Sequence, residues 1–310
     1  MYKNSEQLLE RALQSIPLAS QTFSKSLTQY PKGVSPFFIE KGEGSKVWDV
    51  DGNEYIDFVN SLAAVTLGYC DADVDQAVQD QMQNGVTFSL PHTLEIELSE
   101  KLIDIIPCAE KVRFAKNGTD ATSASIRIAR AYTGKEHIAV CGYHGWQDWY
   151  IGSTSRDLGV PKAVKALTHK FEYNNIESLE RIFQQNELAC LIMEPMNVEY
   201  PQNNFLEKVK ELVHNNNALL IFDETITGFR YSLGGAQELF NVIPDLATFG
   251  KGMANGYPLS AVVGSDKVMK KVEDIFFSGT FGGETLSLAA ANAIIDKYRK
   301  VKVIKHFSEI

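Results

Sequence analysis

Short apolar segments alternate with helical patterns beyond residue 136, and this alternation constrains the fold more than any other feature of the chain. The apolar segments are HIAVCG, LACLIMEP, ALLIFDE, DLATFG and LSAVVG. Amphipathic stretches such as IESLERIFQQNE and NFLEKVKELVHNN lie between them. Strands that are apolar throughout are typical of a parallel sheet covered on both faces by helices. The sequence therefore predicts an α/β fold with a mostly parallel central sheet, and functional groups at the carboxyl ends of its strands.

The N-terminal part of the chain has a different pattern. A polar helix is predicted near residues 5–14, and the segment FFIEKGEGSKVWDVDGNEYIDFV interrupts its apolar runs with Gly-Glu-Gly and Asp-Gly, as antiparallel meanders do. Helices are next predicted at VDQAVQDQMQNG and TLEIELSEKLIDIIP. We therefore predict two parts: an N-terminal helix with a small β meander in residues 1–72, and a large α/β domain in residues 73–310.

Charge and cysteine content argue against several classes of function. The chain has a net charge of -9 and no basic arm, which disfavours a nucleic-acid partner. Its four cysteines form no CxxC pair, and its histidines form no cluster at ligand spacing, so no metal site is predicted. No apolar stretch has the length of a signal-peptide core or of a membrane-spanning helix. These features predict a reduced, cytoplasmic protein without membrane contact.

The segment KVRFAKNGTDATSASIRIARAYTG predicts a strand, a turn and then a helix that begins near Thr119 or Asp120. Small or apolar residues at positions 121, 124, 125, 128, 129 and 132 mark one buried face of that helix. The N–H groups at the start of a helix can bind a phosphate, and Gly118 and Thr119 lie at that position. An Asn-Gly turn alone is weak support for a phosphate site, because most such turns are only turns.

One lysine, Lys251, lies between two glycines immediately after the apolar segment DLATFG. A P-loop does not fit, because Asp245 occupies the position of its first glycine and Gly252 follows the lysine. A dinucleotide-binding GxGxxG motif fits only in part, because Asn255 occupies the position of its third glycine. A nicotinamide-dependent oxidoreductase therefore remains a weak competing interpretation.

A partly desolvated lysine can attack an aldehyde as a nucleophile, and flanking glycines let a flat cofactor approach it closely. Pyridoxal 5′-phosphate (PLP) matches both features. Its ring nitrogen needs a buried carboxylate, and Asp223, at the end of ALLIFDE, is the candidate. An aromatic partner for the ring is available in CGYHGWQDW, which contains Tyr143, His144 and Trp146. The alternative explanations are core packing for the aromatic cluster and a turn cap for Asp223.

Six motifs occur in a specific order along the chain. They are FAKNGTDA, YHG, LIMEP, LLIFDETITGFR, GGAQELFNVIPDLATFGKGMANGYPLSA and GTFGGETLSLAAA. From about Pro17 to its end, the chain resembles the class III aminotransferases, the PLP-dependent family that includes glutamate-1-semialdehyde 2,1-aminomutase. The resemblance implies a PLP-dependent transferase of fold type I, in which the large α/β domain carries the cofactor.

The resemblance also implies roles for individual residues. Lys251 matches the lysine that binds the cofactor covalently and moves a proton, and Asp223 matches the carboxylate that pairs with the ring nitrogen. Gly118 and Thr119 match the phosphate-binding turn. Tyr143 matches the aromatic residue that stacks on the ring.

Further positions follow from the same resemblance. Thr225 stands where family members often have a valine packed on the second face of the ring. Thr280 matches the residue that reaches the phosphate bound in the other subunit, which implies a homodimer with its sites at the subunit interface. Glu194 and Arg230 lie in matching motifs, but neither is predicted to be catalytic.

The reaction predicted from this resemblance is transfer of an amino group from an amino-acid donor to a carbonyl acceptor. The segments that precede the β meander and follow its third strand, where this chain has Leu62, depart from the aminomutase pattern. The chain looks most like aminomutase-like aminotransferases that often accompany nucleotide-sugar or surface-polysaccharide synthesis. The alternatives are the aminomutase itself and a catalytically incomplete PLP-binding remnant, since the family's C-terminal small domain is predicted to be largely missing.

Overall fold

The computed structural model describes residues 2–309, in which ten strands form two sheets. The strands are β1 (Ile39–Glu43), β2 (Lys46–Asp49), β3 (Glu54–Ile56), β4 (Lys111–Ala115), β5 (His137–Cys141), β6 (Thr168–Lys170), β7 (Leu188–Met193), β8 (Leu219–Asp223), β9 (Leu246–Phe249) and β10 (Ser260–Gly264). The first three strands form a small antiparallel sheet, as predicted for this segment. The division of the chain at residue 72 stays a prediction.

Helices occupy most of the remaining described chain. They are α1 (Lys3–Leu13), α2 (Asn60–Ala63), α3 (Ala72–Met82), α4 (Thr93–Ile105), α5 (Gly118–Thr133), α6 (Asp148–Ile151), α7 (Lys162–Lys165), α8 (Ile176–Gln185), α9 (Phe205–Asn215), α10 (Ala236–Phe240), α11 (Asp266–Met269), α12 (Thr285–Lys300) and α13 (Val303–Glu309). Single 3-10 turns lie at Pro17–Ala19, Phe23–Lys25, Lys251–Ala254 and Lys270–Glu273. None of the helices in residues 2–309 is long and apolar enough to cross a membrane.

The large sheet has the strand order β4-β10-β9-β8-β7-β5-β6. Strands β5, β6, β7, β8 and β9 run parallel to one another, while β10 runs antiparallel to both β9 and β4. Because β10 alone is reversed, the other six strands all end at the same edge of the sheet. That edge is where an α/β fold of this kind binds its ligands.

Helices cover both faces of the large sheet, and successive side chains along each strand pack against helices on opposite faces. In β7, Ile192 packs in a cluster with α5, whereas the adjacent Leu191 packs with α8 and α9 on the opposite face. Helices α3, α4 and α12 cover the latter face towards β9 and β10. This arrangement confirms the predicted α/β fold with a mostly parallel sheet, and it explains why the strands are apolar throughout.

Helix α5 starts at the edge of the sheet where the six like-directed strands end. Its predicted buried face is confirmed, since Ala121, Ser125 and Ile128 are all fully buried. The helix begins at Gly118, one residue before the predicted start, and Asn117 is its N-cap. The Asn117 N–H donates to Asp120 Oδ2 at 2.8 Å. This bond fixes the turn from β4 into α5 and leaves the first helical N–H groups pointing out of the helix.

Candidate active site

The structure brings several of the predicted site residues to one edge of the sheet. Asp223 is the last residue of β8, and Lys251 comes two residues after the end of β9, the parallel neighbour of β8. Glu194 directly follows β7, and Tyr143 lies just beyond β5. Four strands therefore present a carboxylate, an amine, a second carboxylate and a phenol at their carboxyl ends.

Asp223 is a buried carboxylate with a defined orientation, only 3% exposed. Its Oδ1 accepts hydrogen bonds from Thr248 Oγ1 at 3.0 Å and from the Thr225 N–H at 3.1 Å. Its Oδ2 lies 2.8 Å from Nδ1 of His144. These contacts hold the carboxylate in one rotamer at the end of β8.

His144 is the charged partner of that carboxylate. Its ring is buried, its Nε2–H donates to the Cys141 carbonyl at 3.0 Å, and it stacks on Trp149 with an interplanar angle of 13°. Burial alone would raise the pKa of Asp223, but the hydrogen bond and charge of His144, together with the hydrogen bond from the Thr225 N–H, outweigh that effect and hold the pKa below its ordinary value. Asp223 is therefore an anion in the interior of the protein.

Lys251 has the opposite perturbation. Burial lowers the pKa of its ammonium group, the carboxylates of Asp223 and Glu194 oppose this shift, and the charge of Arg230 adds to it. No carboxylate of residues 2–309 forms an ion pair with Lys251. Its backbone has φ 43, in the left-handed region that a residue with a side chain seldom adopts. A half-buried lysine in this state loses its proton more readily than a surface lysine does.

The turn that carries Lys251 is fixed by Asn255. Asn255 Oδ1 accepts hydrogen bonds from the N–H groups of Thr66 and Leu67, both at 2.9 Å, and its Nδ2 donates to the Gly68 carbonyl at 2.9 Å. The two segments pack so closely that a Cβ on Gly252 would lie 2.8 Å from Thr66 Cγ2. Residues 66–68, which belong to the N-terminal part of the chain, therefore hold the lysine turn in place.

The turn into α5, the residue after Glu224 beyond β8, and the lysine turn approach one another closely. A Cβ on Gly118 would lie 3.1 Å from Thr225 Cγ2, and one on Gly250 would lie 3.4 Å from the same atom. The hydroxyl of Thr225 is buried with no hydrogen-bond partner in the described chain. The N–H groups of Gly118 and Thr119 likewise have no acceptor within residues 2–309. An anionic group fits at this helix N-terminus, where two N–H donors are free and the neighbouring residues are glycines.

Tyr143 and Glu194 form the wall next to β5. The Tyr143 ring is 60% exposed and meets Tyr150 edge-on at 5.7 Å. Glu194 Oε2 accepts from the Tyr143 N–H at 3.1 Å and from Asn197 Nδ2 at 2.7 Å, and burial raises its pKa. The turn is shaped around this carboxylate, because a Cβ on Gly142 would lie 2.4 Å from Glu194 Oε2. The open face of Tyr143 is available to a planar ligand.

Thr280 lies away from this group of residues. It is exposed, in the loop that precedes α12, and it lines a cavity of about 360 Å³ together with Lys116 and Asp120. The contact predicted for Thr280 is with a second subunit, so this role of Thr280 stays a prediction.

The sequence analysis missed two residues that organise the site. It placed His144 only in an aromatic cluster, although this residue is the hydrogen-bond partner of Asp223. It treated Asn255 only as a missing third glycine, although its side chain joins the lysine turn to residues 66–68. The position of His144, in the turn after a buried strand, was a signal that could have found it. For Asn255, the local sequence pattern contained no such signal.

The donor set fits PLP: a buried anion for the ring nitrogen, a perturbed lysine between two glycines, and a free helix N-terminus for the phosphate. Comparison with known proteins agrees with this assignment. The family model described as Aminotransferase class-III matches residues 29–310.

Named relatives and a solved structure match over almost the whole chain. A 3-aminobutyryl-CoA aminotransferase of Cloacimonas acidaminovorans (strain Evry) is 40% identical, with 97% of this chain and 74% of that protein covered. A glutamate-1-semialdehyde 2,1-aminomutase of Francisella philomiragia subsp. philomiragia is 39% identical, with 95% and 72% covered. The FumI protein of Sphingopyxis sp. MTA144, solved in a form containing PLP, superposes with a TM-score of 0.92 at 28% identity, with 98% of this chain and 74% of that chain covered.

Proposed function

Since this chain belongs to the class III aminotransferases, and is a PLP-dependent aminotransferase of fold type I, we propose that it moves an amino group between two separate molecules with Lys251 and Asp223 as its catalytic residues. The observation that carries this proposal is their placement at the ends of adjacent parallel strands, one as a buried anion and one as a perturbed amine. The substrates are an amino-acid donor and a small carbonyl acceptor.

Bound PLP supplies a protonated ring that withdraws electrons from the substrate carbon bearing the amino group. Asp223 would hold the proton on the ring nitrogen, because an anion kept ionised by His144 stabilises a positive charge beside it. Lys251 would hold the cofactor through Nζ. As a neutral amine, which its lowered pKa favours, Lys251 Nζ would take the proton from the substrate carbon.

The remaining residues bind and orient. The N–H groups of Gly118 and Thr119 would bind the phosphate at the N-terminus of α5. Tyr143 would cover one face of the ring, and Thr225 would lie against the other. Glu194 fixes the turn that carries Tyr143 through its hydrogen bond to the Tyr143 N–H.

A homodimer is part of this proposal. Thr280 would reach the phosphate site of the second subunit, and its surroundings are suited to a contact between copies of the chain. Leu90 is 80% exposed and Phe281 is 58% exposed, and both lie beside Thr280 in cavities of its loop. Apolar side chains clustered on a surface are typical of an interface. A cytoplasmic location is supported by the four cysteines, all of which are free thiols.

Identity to the named relatives does not by itself separate transfer between two molecules from internal exchange. The relative named as an aminotransferase, at 40% identity, is as similar to this chain as the aminomutase is, at 39%. The departures around Leu62 lie in a region that distinguishes the aminomutase pattern. The proposal is therefore a transaminase, with the aminomutase as the second candidate.

The cofactor site is tested by the absorption spectrum of the protein with PLP, before and after borohydride reduction, followed by peptide mapping. The fixed pyridoxyl group is expected on Lys251. Lys251→Ala should lose the label and all turnover, whereas Lys271→Ala, at an exposed ion pair with Asp274, should retain both. Ordinary turnover by Lys251→Ala would refute the catalytic assignment.

The type of reaction is tested with an amino-acid donor panel in the presence and absence of a keto acid. A transaminase needs the second carbonyl compound for every turnover after the first. Sustained isomerisation of glutamate 1-semialdehyde with no added keto acid would instead identify an aminomutase.

A further inference from the structure

One shielded ion pair joins Lys116, just before α5, to Glu284, just before α12. Lys116 Nζ lies 2.8 Å from Glu284 Oε2, and it also donates to Ser287 Oγ at 3.2 Å. Among the lysine and arginine ion pairs of residues 2–309, this is the only one in which neither side chain is more than 17% exposed. Salt screens such a shielded pair only weakly. The pair therefore keeps the start of α5 and the start of α12 at a fixed distance.

Glu284 has a defined position because it is the N-cap of α12. Its Oε1 accepts from the Leu286 N–H at 2.7 Å, and its Oε2 accepts from the Ser287 hydroxyl at 2.7 Å. Burial alone would raise the pKa of Glu284, but the hydrogen bonds from Lys116, Ser287 and the Leu286 N–H outweigh that effect and hold the pKa below its ordinary value. Glu284 is therefore an anion, and Lys116 is its counter-ion.

The Thr280 loop, residues 276–284, precedes α12 and is attached at both of its ends to β4 and α5. At its beginning, Arg127 Nη1 of α5 donates to the Phe276 carbonyl at 2.7 Å, and Arg113 Nη2 of β4 donates to the carbonyl of the next residue at 3.1 Å. At its end, the ion pair described above attaches it to the segment between β4 and α5. The path of the loop between these ends carries Thr280.

The segment that holds the end of the loop is also the segment that leads into the phosphate turn. Lys116 lies between β4 and α5, and it lines one cavity together with Thr280 of the same chain. In the proposed homodimer, the start of α5 would bind the phosphate of its own subunit, whereas Thr280 would reach the phosphate of the second subunit. One unit of the fold, β4 with α5, thus supports phosphate donors of both sites.

We propose that Lys116 is a positioning residue that acts across the subunit interface. Through its ion pair with Glu284, it holds the Thr280 loop in the position from which Thr280 binds the cofactor phosphate of the second subunit. The inference rests on the proposed function, including its homodimer, and deepens it. Since Lys116 acts only through Thr280, its loss weakens the binding of PLP but not of pyridoxal, which lacks the phosphate.

Labelling of cofactor-free protein over a series of PLP concentrations, followed by borohydride, tests this inference. The readout is the concentration that labels half of Lys251. Lys116→Met, which removes the charge but keeps an unbranched side chain, should raise this concentration about tenfold, the size expected for one hydrogen bond to a charged group. The same series with pyridoxal should show no difference. Lys297→Met is the matched control and should change neither value, because Lys297 binds Asp71, the N-cap carboxylate of α3, at 2.6 Å.

Hybrid dimers show which subunit Lys116 acts on. A hybrid of a Lys251→Ala chain with a Lys116→Met chain can be labelled only on the Lys116→Met chain. The Thr280 that reaches this site belongs to the other chain, in which Lys116 is intact. The half-labelling concentration should therefore equal that of a hybrid between Lys251→Ala and wild-type chains. A value as high as in the Lys116→Met homodimer would overturn the inference, since Lys116 would then act on the phosphate turn of its own chain.

Two further outcomes overturn the role of Lys116: a half-labelling concentration that Lys116→Met leaves unchanged, and an equal increase with pyridoxal. If Lys116→Met does not fold, Glu284→Gln decides in the same assays, because an amide keeps an oxygen for the cap but lacks the charge. It should raise the PLP concentration about threefold, and an unchanged value overturns the inference.

The wild-type protein separates this inference from the proposed function. A wild-type protein that PLP does not label at Lys251 contradicts the proposed function itself. A labelled wild-type protein that is monomeric in analytical ultracentrifugation contradicts the homodimer and the role of Lys116, and leaves the cofactor assignment in place. A labelled dimer in which Lys116→Met has no effect contradicts only the role of Lys116.

Discussion

His144 Nδ1 lies 2.8 Å from Asp223 Oδ2, and the proton between these two atoms belongs to the histidine. The other ring nitrogen faces the Cys141 carbonyl, which can only accept a hydrogen bond, so Nε2 carries a hydrogen. The low pKa of Asp223 makes its carboxylate an anion. Both ring nitrogens of His144 therefore donate, and the pair is a buried ion pair that keeps Asp223 ionised before any cofactor binds.

Replacement of His144 should consequently impair Asp223 through its pKa. In His144→Asn, burial is no longer outweighed by a positive charge, so the pKa of Asp223 rises and the acid limb of the kcat/KM profile moves to higher pH. The loss of kcat at the optimum is expected to be roughly tenfold to a hundredfold, as for a lost hydrogen bond to a charged group. The measurement is a full pH-rate profile of each variant.

A matched control is present on the other side of the protein. His214 Nε2 lies 2.9 Å from Asp245 Oδ2, in an exposed pair at the start of β9. His214→Asn should leave the pH-rate profile unchanged. An acid limb that stays in place in His144→Asn would show that Asp223 does not depend on this histidine for its charge.

Gly252→Ala should destabilise the lysine turn by steric conflict. Its new Cβ would lie 2.8 Å from Thr66 Cγ2, and overpacking of this kind costs about 1–3 kcal/mol. Adding Thr66→Ser removes the obstructing methyl group and keeps the hydroxyl that donates to the Gly252 carbonyl at 3.5 Å. The double variant should recover part of the lost unfolding free energy in urea titrations. No recovery would show that the glycine is needed for another reason.

Asn255 offers a way to separate hydrogen bonding from backbone strain. Its three side-chain hydrogen bonds are lost in both Asn255→Ala and Asn255→Gly, at a cost of about 1–3 kcal/mol. Its φ is 46, so alanine adds a further cost of about 1 kcal/mol that glycine avoids. Asn241, with φ 54 and no side-chain hydrogen bond within the described residues, is the control. Asn241→Gly should be as stable as the wild-type protein, or more stable, in urea titrations. If the glycine substitution has the same effect on stability at positions 241 and 255, the role of Asn255 is contradicted.

The parts of the fold that could be predicted are those in which burial dictates residue type. Strand β7 is apolar at all six positions because both of its faces are covered, and α5 shows its buried face by spacing alone. Strand β6 (Thr168–Lys170) was missed, since a three-residue edge strand has too few buried positions to form a pattern. The reversed direction of β10 was not predicted either, because an apolar strand looks the same in both directions. Helix α13 replaces a tail for which only a fading pattern was expected.

The site divides in the same way. The ends of β8 and β9 could be located from their apolar runs, and so could the neighbourhood of Asp223 and Lys251. The contacts that tune these residues could not, because the His144 and Asn255 side chains act across turns whose paths depend on tertiary packing. Arg230 is the same kind of case: one of its bonds stays within the turn after β8, at the Ile226 carbonyl, and the other joins that turn to the Ala63 carbonyl of the N-terminal segment.

The pKa of Lys251 provides the last prediction, because two neighbours shift it in opposite directions. The negative charge of Glu194 raises this pKa, so Glu194→Gln should lower it further. The positive charge of Arg230 lowers it, so Arg230→Gln should raise it. Only the neutral amine reacts with an aldehyde, hence capture of PLP by cofactor-free protein increases as the pH passes through this pKa.

The pH at which half of the protein is labelled should therefore decrease in Glu194→Gln and increase in Arg230→Gln. Short exposure to PLP across a pH series, followed by borohydride and quantification of the labelled Lys251 peptide, measures both midpoints. Asp274→Asn, at an exposed ion pair with Lys271, should leave the midpoint of the wild-type protein unchanged. Midpoints that move in the same direction in the two site variants would contradict the electrostatic origin of the shift, because a general loosening of the site would expose Lys251 in both and raise its pKa in both.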